Sequence, residues 1–156
     1  MNAKGKKVEV EQVLKNFNFY PAKQNEQIVK SLLEEIKYCH LNDKFIATVV
    51  LAGITTEFAH RTKLEERGKE IKNKTWKDLI DEDNSVDQST KDLLHDIRKK
   101  YRNPWIHFDL KELETHANHR FSDMGMYIAS ISAKDALESL KLLMEAIKQI
   151  YPKKVT

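Results

Sequence analysis

Ala47-Thr-Val-Val-Leu-Ala-Gly-Ile54 is the longest apolar stretch in the chain, and the class of fold turns on how it is read. A bilayer-spanning helix needs about 20 apolar residues, so this stretch is too short to cross a membrane. Phe45 and Ile46 precede it, and helical spacing continues past it, so we read a long helix from Asp43 to Lys69. Its first half is apolar nearly all round, the pattern of a helix at the buried centre of a bundle. Gly53, with no side chain, lets another helix approach it closely. The second half, Arg61 to Lys69, is charged and is expected to emerge into solvent.

Working outward from this helix, Asn25 to His40 also reads as helical, with Ile28, Leu32, Leu33, Ile36 and Cys39 or His40 on one face. Pro21 breaks the chain before it. A short amphipathic piece is expected from Val10 to Phe17, and Met1–Lys7 reads as disordered. On the other side, Thr75 and Asp78 have capping-box spacing and predict a short helix through Ile80. The polar run Asp81–Asp87 predicts a loop. Ser89 with Asp92 predicts the start of a further helix, with Leu93, Leu94, Ile97 and Tyr101 on one face, which Pro104 should end or kink. Residues 107–126 are ambiguous, and part of them reads as helical. Ser132 with Asp135 predicts a last helix with the stripe Ala136, Leu137, Leu140, Leu143, Met144, Ile147 and Ile150, stopped by Pro152. With four Gly, three Pro and a third of the residues charged, the expectation is all-α: one domain over residues 1–156, an antiparallel helical bundle of about four to six helices.

The single cysteine, Cys39, rules out a disulfide within the chain and is expected to be buried. The basic start leads into Val8-Glu-Val-Glu11 rather than an apolar run, so no secretory leader, no membrane contact and a cytoplasmic location are expected. The formal charge of +3 permits an anionic partner without requiring one.

The segment that carries chemistry is Arg102-Asn-Pro-Trp-Ile-His107. Arginine grips phosphate oxygens through a planar fork and stays charged throughout. Histidine gives or takes a proton near neutral pH. RNA brings its own nucleophile, the 2′-hydroxyl, so this pair suffices for acid–base help and charge stabilisation. Arg102-Asn103-Pro-Trp-Ile-His107 resembles the hallmark of the HEPN superfamily: small helical domains with Arg, four to six residues, then His, often with a polar residue after the Arg. The helix Asp92-Leu-Leu-His-Asp-Ile-Arg-Lys-Lys-Tyr101 before the motif and Val50-Leu-Ala-Gly-Ile-Thr-Thr-Glu-Phe58, similar to the central helix of that family, extend the resemblance over about residues 25–150. The chain departs from the pattern at Pro104, inside the motif, and at Asp109, where some toxin members carry a modified Tyr.

The resemblance implies a metal-independent endoribonuclease of toxin–antitoxin or antiviral-defence type, with Arg102, Asn103 and His107 meeting their copies at a homodimer interface. RNA would be the substrate and an antitoxin or other regulatory protein a further partner; no cofactor is expected. The alternative is a non-catalytic module of the same kind that binds a nucleotide, RNA or protein, or only dimerises. Lys99 and Lys100 would draw RNA toward Arg102, or form an ordinary solvated face. Trp105, with Phe108, would stack a base or sit in the core. Glu57 lies on the stripe Ile46, Val50, Gly53, Glu57. It would either orient Arg102 as structural support or already stand in solvent. His116 and His119 share a helical face but have no ligand signature around them, so we assign no metal site.

Overall fold

The computed structural model describes residues 11–12, 17–102 and 128–156, with side chains of the last helix from residue 133 onward. Among them are five α-helices: α1 (Gln24–Leu41), α2 (Phe45–Glu66), α3 (Trp76–Glu82), α4 (Gln88–Ile97) and α5 (Ile128–Ile150). α4 runs on into a π-helical turn, Arg98–Arg102. The all-α bundle expected from the sequence is what is found. Asn103–Tyr127 lies outside the described residues, as do Met1–Val10 and the stretch 13–16.

α2 is the central helix. α1 packs on one side of it and α5 on another, with the π-helical turn against its middle. Its composition explains this position, because Thr48, Val49, Ala52, Gly53, Thr55, Thr56 and Ala59 are all buried and mostly small, so neighbouring helices come close. Three of the threonine hydroxyls bond back to the helix: Thr48 donates to the Lys44 carbonyl at 3.0 Å, Thr56 to that of Ala52 at 2.8 Å and Thr62 to that of Phe58 at 2.9 Å. The main core joins Val29 and Ile36 of α1, Ala52 and Ala59 of α2, Trp76 and Ile80 of α3, Leu94 and Ile97 of α4, and Leu140, Leu143 and Ile147 of α5. Each fully buried aliphatic side chain of this kind stabilises the fold by about 1.5–3 kcal/mol. Cys39 is buried and reduced.

The helix starts follow their caps. The α1 start is held by Glu26, whose carboxylate accepts the backbone N–H groups of Ala22 (2.6 Å) and Lys23 (3.1 Å). Thr75 caps α3 in the expected capping box with Asp78. Two starts differ from expectation. α4 is capped by Asp87, which accepts the Thr90 N–H at 2.8 Å, so the helix begins before Ser89. α5 is already helical at Ile128, the first residue described after Arg102, so Ser132-x-x-Asp135 falls inside the helix rather than at its start. Two burial expectations also change. Ile46 and Ile54 of α2 are 50% and 40% exposed, so this helix has one open stripe. Beyond Arg61 the helix emerges later than expected: Thr62 and Leu64 are still buried, and the chain is exposed from Glu65 to Lys69. Ile28 of α1 is exposed, and Val29 takes the core position beside it. No described helix is long and apolar enough to cross a membrane.

Candidate functional site

Gly53 sets the geometry around Arg102. A Cβ on Gly53 would lie 2.9 Å from the Arg102 Cβ and 3.0 Å from its Cα. The main chain of the π-helical turn therefore rests directly on α2, where only a glycine leaves room. A π turn widens the helix by a residue, and such turns recur at functional sites. Here it carries Arg98, Lys99, Lys100 and Arg102.

One turn of α2 beyond Gly53 lies Glu57, and its carboxylate is shared. Oε2 accepts Nε–H of Arg102 at 2.8 Å, and Oε1 accepts Nε–H of Arg61 at 2.8 Å. Arg61 is fixed in turn by two further N–H groups on the Lys74 carbonyl, at 3.2 and 3.3 Å. The Glu57 carboxylate joins two guanidiniums in one cluster. It is only partly sheltered, with side-chain exposures of 22% for Arg102, 15% for Glu57 and 26% for Arg61. Glu57 thus pairs with Arg102 rather than standing alone in solvent. Lys99 is exposed, and Lys100 reaches toward Asp96 at 3.7 Å. Asn103, Trp105 and His107 lie outside the described residues, as do Pro104, Phe108, Asp109, His116 and His119. The structure thus brings together Glu57 and Arg102 of the expected set and adds Arg61, whose four-residue spacing from Glu57 on one helix was a usable signal.

A second polar cluster lies next to the first and was not expected. His60 is buried and bonded at both ring nitrogens: Trp76 Nε1–H donates to Nδ1 at 3.2 Å, and Nε2 meets Asp83 Oδ2 at 3.0 Å. An indole N–H can only donate, so Nδ1 carries no proton and the hydrogen sits on Nε2, facing the carboxylate. Burial pushes the His60 pKa below the usual imidazole value; the Asp83 hydrogen bond and charge oppose this, and the nearby Arg67 and Arg61 charges reinforce it. Burial would raise the Asp83 carboxyl, but hydrogen bonds from Ser85 and His60 outweigh it and hold the group below the usual carboxylate range. Ser85 gives Asp83 both its N–H, at 2.9 Å, and its hydroxyl, and Arg67 closes the chain onto the Ser85 hydroxyl.

No family model matches the chain, and no curated protein or solved structure matches it. What the site does is therefore argued from its residues.

Proposed function

We propose that the chain is a metal-independent endoribonuclease acting through Arg102 and His107, in the manner of the HEPN domains that its motif resembles. The observation that carries this reading is the Glu57–Arg102 pair. A carboxylate from the central helix holds the motif arginine by Nε, at the end of a basic π-helical turn and within reach of solvent. Arg102 would grip the scissile phosphate and stabilise the charge that builds on it. His107 would take the proton of the RNA 2′-hydroxyl or supply one to the departing 5′-oxygen. The 2′-oxygen bonds to phosphorus as the bond to the 5′-oxygen breaks, leaving a cyclic phosphate and a free 5′-hydroxyl. Asn103 would assist at the same phosphate, and Lys99, Lys100 and Trp105 would hold the strand. One Arg and one His per chain is a sparse set, which a two-fold homodimer would double; RNA, and an antitoxin or other regulatory protein, are the partners proposed. A second reading has support in the packing of Arg102 on Gly53: Arg102 would then be an anchor in a non-catalytic binding or dimerisation module.

The test is labelled single-stranded RNA incubated with the protein in EDTA, beside DNA of the same sequence. Cleavage of RNA alone is expected. His107→Ala should lose about 10²–10⁴ in rate, and Arg102→Ala about 10²–10³ if it acts as a lost oxyanion donor would. Light scattering should give a dimer. Intact RNA with the wild type, or equal cutting by His107→Ala, would end the nuclease reading and favour the binding module.

A further inference from the structure

His60 and Arg61 are adjacent on α2 and both hold the segment between α2 and α4, but they differ in one respect. The Arg61 contact to Lys74 tolerates any ordinary pH, since a guanidinium does not titrate. The His60 contact depends on one protonation state. Trp76 Nε1–H occupies Nδ1, and that nitrogen can accept only while it has no proton of its own. Trp76 is the first residue of α3 and Asp83 caps its end, so one imidazole clasps both ends of that helix to α2. Its other attachments are few: the Lys91 Nζ bond to the Asp81 carbonyl at 2.8 Å, the His95 contact with Asp81 at 2.8 Å, and the core contacts of Trp76, Leu79 and Ile80.

We propose that this clasp is a pH-sensitive latch: a proton on Nδ1 of His60 sets two N–H groups against each other, ejects the Trp76 indole, and releases the segment from Arg67 to Asp87 while the α1–α2–α5 bundle stays folded. The charged groups facing the ring are Asp83 from the end of α3, Arg67 from the turn after α2, and Arg61 on α2 itself. A doubly protonated ring can still donate to Asp83, so the indole contact fails first, and Asp83 leaves the core with the ring as it turns out toward water. The two arginines oppose the new charge, which favours moving the ring out toward water. The released segment carries Lys74, whose carbonyl fixes Arg61 and through it Glu57. Loosening of Arg102 on acidification follows only on the proposed function above; the latch itself does not depend on it.

Amide hydrogen exchange on the full chain between pH 7.5 and 5 tests this, with rates expressed as protection relative to the unstructured chain. If each opening takes up one proton, protection of the α3 amides of Leu79 and Asp83 should fall by about tenfold per pH unit below roughly 6.5. The α5 amides of Leu143 and Ile147 should stay level. In His60→Gln, whose amide can accept from Trp76 and donate to Asp83 but does not titrate, α3 protection should be flat; this also separates the latch from His95. The imidazole ¹⁵N signals of wild-type His60 give a second reading that needs no variant: they should keep the Nε2–H tautomer while α3 opens only rarely, and show the doubly protonated ring only at the pH where α3 protection is lost altogether. Flat α3 protection in the wild type, an equal slope in His60→Gln, a parallel fall in α5, or a His60 ring that becomes doubly protonated while α3 keeps its protection would each overturn the proposal.

Discussion

Gly53→Ala has a sign that can be worked out in advance. In an unhindered helix interior, Ala is better than Gly by about 0.8–1.0 kcal/mol, because glycine gives up more backbone freedom on folding. At position 53 the added methyl would stand 2.9 Å from the Arg102 Cβ and 3.0 and 3.3 Å from its Cα and N. Those neighbours are main chain and the root of a side chain, so they cannot swing aside. The π-helical turn would have to lift, at an overpacking cost of about 1–3 kcal/mol. The net expectation is a loss of about 0–2 kcal/mol, with the Arg102–Glu57 bond strained. Urea unfolding followed by circular dichroism measures it: the midpoint should fall while the slope m stays constant. Gly68→Ala is the matched control. Nothing lies within 4 Å of a methyl there, but the backbone has φ +75°, so its loss of about 1–2 kcal/mol would come from left-handed strain. The reasoning is refuted if Gly53→Ala is stabilised by about 1 kcal/mol, since that gain requires open space where the structure puts Arg102.

Glu57→Gln should lower stability by roughly 1–3 kcal/mol, because one oxygen can no longer offset two guanidiniums. Paired with Arg61→Met in a double-mutant cycle of thermal unfolding, it should show a coupling of about 0.5 kcal/mol or more, whereas strict additivity would mean that Arg61 and Glu57 do not share a contact. Trp76→Phe should lose about 1–3 kcal/mol at neutral pH and flatten the pH dependence of stability near pH 6. In the wild type the His60 pKa is lower folded than unfolded, so stability is fullest above the unfolded imidazole value of about 6.5 and declines as pH falls from there through the folded value. A wild-type melting temperature that is constant from pH 7.5 to 5 would contradict this.

The bundle was legible because its signal is local. Ala136, Leu140, Leu143 and Ile147 recur at helical spacing and are all buried, and Thr75-x-x-Asp78 announces its own cap. Gly53 and Glu57 were legible as one stripe of α2, and Arg102 as a motif residue. The His60 cluster was not legible. Its members are separated by 16 and 23 residues, a distance at which no periodicity links them. Asp83 also sits in an acidic run where nothing in the sequence sets it apart from Asp81, Glu82 or Asp87. The charges from Arg61 onward suggested solvent, which holds from Glu65 to Lys69, yet Thr62 and Leu64 are buried on the face of the helix that still meets the core.

The two polar clusters are joined by the geometry of one helical step. Successive residues on an α-helix point about 100° apart, so His60 and Arg61 leave α2 in different directions. His60 faces the core, with 2% of its side chain exposed, and Arg61 the surface, with 26%. Both reach the same segment: His60 at Trp76 and Asp83, Arg61 at Lys74. A disturbance of that segment therefore has a short path to the surface cluster, through the Lys74 carbonyl, the Arg61 fork and the shared Glu57 carboxylate to Arg102. Because coupling free energies are reciprocal, a break at either end should be felt at the other: Arg61→Met should loosen the Trp76 clasp by as much as Trp76→Phe loosens the Arg61–Lys74 bond. The link is short, since Lys74 lies only two residues before the indole.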